Sequence, residues 1–162
     1  MLRPLGPKDA VKVDAAWTYR TEHSLSKISA MVASTRPGFA GHGVCLKSDP
    51  TGSAGDGELV AWCLVYPYGA SGMLHTVEAH RRRGFAWLVS AATTVALSRR
   101  PGVTASNSAG PSTSVDQRDS FCYITTGNTG SQRLYEQLGY RRHGRSDWLG
   151  FKPPPAPHDE PR

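Results

Sequence analysis

Two stretches of this sequence combine residue types and spacings suited to holding an anion and moving a proton. The first runs Leu74-His75-Thr76-Val77-Glu78-Ala79-His80-Arg81-Arg82-Arg83-Gly84-Phe85-Ala86. It reads as a strand, a basic turn, a glycine and the start of a helix. The first turn of a helix offers unpaired backbone N–H groups and the positive end of the helix dipole. A phosphate set there is stabilised without a dedicated side chain. Gly84 has no Cβ to hold an anion off the backbone, and Ala86 is small. Arg81, Arg82 and Arg83 add positive charge for a polyanion. Taken alone, the same residues also fit a solvated charged turn or a nucleic-acid contact.

The second stretch runs from Phe121 to Tyr140 and holds Asn128, Ser131 and Tyr135 in a strand–turn–helix setting. Asn128 can both donate and accept, and it stands at the strand end facing the next helix. Ser131 opens that helix, and Tyr135 follows on the same face. A phenol so placed can give a proton to a leaving thiolate. An alternative is that Asn128 caps the helix while Tyr135 packs in the core with its hydroxyl bonded.

Local pattern gives the elements that must position these residues. Residues 2–5 suit an edge strand, broken by Gly6 and Pro7. Asp9 to Tyr19 reads as a helix, with Val11, Ala15 and Trp17 at a rough 3.6 period. Ser24 is the expected N-cap of a second helix, Leu25 to Ser34, with Leu25, Ile28, Met31 and Val32 on one face. Val44 to Lys47, Glu58 to Tyr66 and Met73 to Glu78 are expected strands, and Pro67 to Gly72 a turn. Arg82 to Ser98 is a helix whose stripe is Trp87, Leu88, Ala91, Val95 and Leu97. Residues 101–120 are poor in large apolar side chains and read as a flexible surface loop. Phe121 to Thr126 returns to strand composition. Ser131 to Leu138 is a short helix stopped by Gly139. Tyr140 to Phe151 holds one or two closing strands. The order predicts a mixed α/β domain on one sheet over residues 1–152, with a proline-rich tail at 153–162.

Composition narrows the function classes. The chain has 162 residues, 38% of them hydrophobic and 20% charged, as expected of one globular domain. No apolar run approaches the ~20 residues that span a bilayer. The first twenty residues carry Asp9 and Asp14 and lack an apolar signal core, so an intracellular location is expected, cytoplasmic or mitochondrial. Cys45, Cys63 and Cys122 are far apart in apolar segments, which predicts reduced buried thiols and no metal site. The net charge of +6 suits an anionic partner. Nucleic acid is disfavoured, because the arginines gather at one turn with no aromatic stripe between them. Trp17, Trp62, Trp87 and Trp148 are expected in the core. Tyr66 and Tyr68 are either turn aromatics or the lining of an acceptor pocket.

The motif R-x-x-G-x-A (Arg81, Gly84, Ala86) is followed by N-x-x-S-x-x-x-Y-x-x-L-G-Y (Asn128, Ser131, Tyr135, Leu138, Gly139, Tyr140). In this order the two resemble the GNAT acyltransferase superfamily. More narrowly, the ELVAWCL run Glu58–Leu64, the Met73–Arg83 segment and Asp147-Trp148 resemble the C-terminal catalytic domain of glycine N-acyltransferases. The resemblance implies a single mixed, mostly antiparallel sheet flanked by helices. It implies an acyl-CoA co-substrate, a small-molecule amine or amino-acid acceptor such as glycine, no metal, and a monomer or homodimer. It places Thr76 and Val77 at the pantetheine arm, and the amides of Arg82 to Trp87, Phe85 and Ala86 included, at the pyrophosphate. Arg81, Arg82 and Arg83 would lie near the phosphates. Asn128 and Ser131 would be at the cofactor, with Tyr135 beside the sulfur. The amine would attack the thioester directly, its carbonyl polarised by N–H groups near Val77. The family's glutamate base aligns with Ala70, so His75 and Glu78 are the local candidates. His75 has the better intrinsic pKa. A catalytically inert CoA-binding module of the same fold is the alternative.

Overall fold

The apolar run Glu58–Val65 becomes the middle strand of a five-stranded sheet. The computed structural model describes residues 1–36, 38–39, 41–47, 57–99 and 120–146. The strands are β1 (Leu2–Pro4), β2 (His42–Leu46), β3 (Glu58–Val65), β4 (Ala70–Thr76) and β5 (Phe121–Cys122), and they lie in that order across the sheet. All neighbours are antiparallel except β4 and β5, which are parallel. The helices are α1 (Ala10–Ala15), α2 (Ser24–Val32), α3 (Phe85–Ser98) and α4 (Thr129–Gln137). The fold is therefore the mixed, mostly antiparallel sheet with flanking helices that the motifs implied.

From Leu59 to Val65 every residue of β3 is buried. A strand covered on both faces reads as a continuous apolar run without alternation. Successive side chains still point to opposite faces. Trp62 joins Val13, Ile28 and Met73 in the core beneath α1 and α2. Cys63 joins Ala61 and Val89 in the core beneath α3. Each large apolar side chain fully buried there contributes about 1.5–3 kcal/mol. A bidentate pair between Arg3 and Asp9, at 2.7 Å, ties β1 to the start of α1. Buried Asp14 accepts from Ser24 and pairs with Arg20 at 3.0 Å, which joins α1 to α2.

Several boundaries differ from the pattern reading, each for a physical reason. The first helix starts after a 3₁₀ turn at Pro7–Asp9 and stops at Ala15. It buries Ala10, Val13 and Asp14 while Val11 is exposed, because Arg3 and Ser24 satisfy the two carboxylates that a pattern count treats as surface. Ser24 is the first residue of α2 instead of its cap, its hydroxyl being bonded to Asp14 and the Thr21 carbonyl. Leu25 is exposed, while Ile28 and Val32 are buried. Strand β4 begins at Ala70, inside the expected turn, because Ser71 and Gly72 pair with Val65 and Leu64. The third helix starts at Phe85, three residues later than expected, because Arg82 and Gly84 both have positive φ. Its buried face is Val89, Ser90, Thr93 and Leu97, while Trp87, Leu88 and Val95 are exposed. A helix apolar all round carries no period from which its inner face can be read. Strand β5 ends at Cys122, and α4 already begins at Thr129. No closing strand forms among the described residues after α4. The expected loop, apart from Ser120, and the expected tail lie outside the described residues, as do Asp147 and Trp148.

Candidate functional site

The sheet opens at the edge of β4. Pairing with β5 is confined to Ala70 with Phe121 and Ser71 with Cys122, and the two chains part beyond that point. The register between β3 and β4 shifts between Trp62 and Leu64, so Met73 and Leu74 together face Cys63. Met73 has φ of 50°, the left-handed conformation of a bulge residue. A bulge bends its strand and increases its twist, which turns the end of β4 away from the line of β5. The gap is the outer edge of β4 at Met73–Thr76, which has no ladder partner on that side among the described residues. The Val77 amide donates to the Val60 carbonyl at 2.9 Å. Backbone direction alternates along a regular strand, so the N–H group of Thr76 points the other way, into the gap. The Val77 amide is thus paired to β3, so among the N–H groups near Val77 the expected polarising role falls to its neighbours.

At the far end of the gap the chain turns through Glu78–His80 into the basic segment. Arg81, Arg82, Arg83 and Gly84 are exposed. Arg81 folds back, its Nε donating to the Thr76 carbonyl at 3.3 Å and its guanidinium lying 3.9 Å from Glu78. Arg82 has φ of 63° and Gly84 of 78°. No side chain caps α3 at Gly84, and a Cβ built on Gly84 would meet nothing within 4 Å. The amides of Phe85, Ala86 and Trp87 therefore begin the helix without intrahelical partners, beside open space. Left-handed residues alternating with right-handed ones aim successive N–H groups into one concavity, an anion-binding arrangement. The Thr76 hydroxyl and His80 Nδ1 are buried without a hydrogen-bond partner among the described residues.

The three candidate proton carriers are not brought together. His75 stacks on Trp62, ring centroids 4.7 Å apart and planes 23° apart, on the α1–α2 face. Burial, reinforced by the charge of Arg81, lowers its pKa below the ordinary 6.5, so it is neutral at pH 7. Tyr135 lies on the opposite face, its hydroxyl 3.8 Å from the Cys63 sulfur and its ring edge-on to Tyr140 at 5.0 Å. Burial first, then the proximity of Cys63, pushes the phenol well above its usual range, outweighing the hydroxyls of Ser71 and Ser90. Glu78 is exposed and engaged only with Arg81 among the described residues. Asn128 caps α4, its Oδ1 accepting from the Ser131 amide at 3.0 Å. Pattern reading did not find the bulge at Met73; Gly72 inside an apolar run was its one available hint. Trp87 is exposed, against the core position expected of it; Trp62 is buried.

On the α1–α2 face a cleft of about 450 Å³ runs between α2 and the β3–β4 turn, lined in part by Tyr66 and Met73. Tyr68 is exposed and stacks on Tyr66 at 5.3 Å. Among the described residues no group of His, Cys, Asp or Glu is arranged to hold a metal. No described helix is long and apolar enough to cross a membrane.

A family model described as FR47-like protein matches residues 52–114, the stretch that contains β3, β4 and α3. A solved Drosophila protein is 24% identical over 88% of this chain, with a TM-score of 0.63. This chain covers 39% of that protein, about two-fifths of its length. Arabidopsis thaliana NAA60 in complex with acetyl-CoA is 17% identical, covering 87% of this chain and 86% of that one, with a TM-score of 0.61. A putative acetyltransferase from Agrobacterium tumefaciens is 14% identical, covering 93% and 99%, with a TM-score of 0.57. No curated protein matches the chain. The sheet and its helices thus have the GNAT acetyltransferase fold.

Proposed function

We propose that this chain binds an acyl-coenzyme A in the gap beside β4 and transfers its acyl group to an amine. The observation that carries the reading is the uncapped start of α3 at Gly84, beside open space, at the end of a β4 edge that β5 pairs only at Ala70 and Ser71. A pantetheine arm is an extended chain with amides, and it would partner the β4 edge at Thr76, beyond the two residues that β5 pairs. The Thr76 hydroxyl would gain its missing partner. The pyrophosphate would rest on the amides of Phe85 to Trp87, with Arg82 and Arg83 supplying charge. The acetyl-CoA complex of the Arabidopsis structure supports this co-substrate.

In the proposed reaction the amine nitrogen attacks the thioester carbonyl carbon. A C–N bond forms, the C–S bond breaks, and coenzyme A leaves as a thiolate. The carbonyl oxygen would be held by amides at the Met73–Leu74 bulge, because the Val77 amide is taken. His75, neutral at pH 7, would accept the proton lost by the amine. Tyr135 would donate its hydrogen to the departing sulfur from the other face of the sheet. A phenol raised this far yields its proton reluctantly, so a strong hydrogen bond is the larger part of that role. Asn128 and Ser131 would face the pantetheine. The glycine N-acyltransferase resemblance extends the reading to a small amine or amino-acid acceptor.

The test is calorimetric titration with coenzyme A at low ionic strength, followed by thiol release from acetyl-, longer acyl- and aryl-CoA over an amine panel. Micromolar binding with release under at least one pair is expected. Binding without release under any pair supports a catalytically inert CoA-binding module. Absence of binding removes the proposal.

A further inference from the structure

The cleft on the α1–α2 face is lined in part by Met73, which is also the bulge residue of the β4 edge. Its floor is apolar and aromatic, formed by residues such as Trp17, Phe39 and Tyr66. Among the described residues its charged lining consists of Lys27 and Arg36, with no Asp or Glu. Lys27 projects from α2 on the face shared with Ser24, Ile28, Met31 and Ser34, which also line the cleft. Among the described residues Lys27 has no carboxylate partner. Arg36 is held by its stack on the Phe39 ring, 3.9 Å from the centroid, and donates to the Pro67 carbonyl at 3.3 Å. That leaves its guanidinium at the cleft with donors to spare. The nearest buried carboxylate of α1, Asp14, is satisfied by Ser24 and Arg20.

We infer that this cleft is the acceptor subsite, and that it selects an amine which also carries a carboxylate and a sizeable apolar side chain. The inference rests on the acyl-transfer reading above. The cations repel a purely cationic amine and attract the carboxylate of an amino acid. A pocket of this volume and apolar lining is oversized for glycine and is filled by an aromatic or branched side chain. With the carboxylate at Lys27 and Arg36 and the side chain on the aromatic floor, the nitrogen is directed to the Met73 wall, where the thioester would lie. Two other occupants are outcomes of the test: the apolar chain of a long acyl group, and an amine with no carboxylate.

The experiment reads binding without turnover. The probes are N-acetyl-phenylalanine and N-acetyl-phenethylamine, product-shaped molecules that differ only in the carboxylate, titrated without coenzyme A. The carboxylated probe is expected to bind about tenfold tighter. Lys27→Glu, a substitution on the exposed surface, removes that preference and leaves coenzyme A affinity unchanged. N-acetyl-glycine binds more weakly than N-acetyl-phenylalanine. Equal binding of the two phenyl probes overturns the carboxylate site and leaves an apolar acyl chain or a neutral amine as occupant. Failure of both to bind overturns the subsite. Loss of coenzyme A binding in the unsubstituted protein instead overturns the reading beneath it, so the two failures are distinct.

Discussion

The starts of α3 and α4 carry the two motifs, and the structure builds them in opposite ways. At Gly84 no side chain caps the helix, the surroundings are open, and the approach passes through left-handed Arg82. At Asn128 the cap is made, and Tyr135, about two turns on, is buried against Cys63. One site leaves its polar groups without partners and the other pairs them internally. Polar groups without partners are costly unless a ligand or water satisfies them. The difference separates the proposed anion site at the start of α3, whose amides no side chain caps, from the start of α4, whose cap is already made.

The sharpest way to break this comparison uses two glycines of the same conformation. Gly84 and Gly139 have φ of 78° and 89°, and a Cβ on either meets nothing within 4 Å. Gly84→Asp puts strain and a negative charge at the proposed anion site, and coenzyme A affinity by calorimetry should fall about a hundredfold or more. Gly139→Ala carries a comparable strain of about 1 kcal/mol in thermal unfolding and leaves that affinity unchanged. Equal losses would show that the α3 start is scaffold too.

Next in size is Tyr135→Phe. If the phenol serves the leaving sulfur, turnover falls about a hundredfold with coenzyme A affinity preserved. Its bond to Cys63 is long, at 3.8 Å, so stability should move by about 1 kcal/mol or less. A variant with full turnover would leave Tyr135 a packing residue. Asn128→Ala should cost about 1 kcal/mol of unfolding free energy through the lost cap. A rise in KM beyond that would show that Asn128 also meets the substrate.

The smallest effect is in the pH dependence. His42 and His75 both have pKa values lowered by burial. The unfolded chain binds protons more readily, so their contribution to stability is full above about pH 6.5 and is lost as pH falls through the lowered values. Denaturant midpoints measured between pH 7 and 5 should decline, and His75→Gln should flatten part of the slope. In kinetics the same substitution should remove the acid limb of kcat/KM if His75 is the base.

Sequence carried the sheet and the basic turn well, because β3 is apolar throughout and the Arg-Arg-Arg-Gly run is a local signal. It carried the depth of α3 poorly. Ser90 and Thr93 are buried while Trp87 and Val95 are exposed, and only the tertiary contacts decide that. It missed the Met73 bulge, since a left-handed methionine follows from how β3 and β4 twist against each other. The spacing of the motifs also does not tell that His75 meets Trp62 while Tyr135 meets Cys63, two neighbours on β3 that face opposite ways. The Lys27–Arg36 pair was invisible because the two residues meet at one cleft only through the path of the chain from α2 to the β3–β4 turn.

The state of the cysteines bears on how the activity can be followed. Burial raises the Cys63 thiol to about 11 and that of Cys122 to about 12, and Cys45 is almost wholly enclosed. Attack on an aromatic disulfide reagent requires an accessible thiolate. The native protein should therefore contribute little colour of its own to a continuous Ellman readout. An abrupt yellow burst on adding the reagent would report unfolded molecules in the preparation, giving each kinetic trace an internal measure of sample integrity.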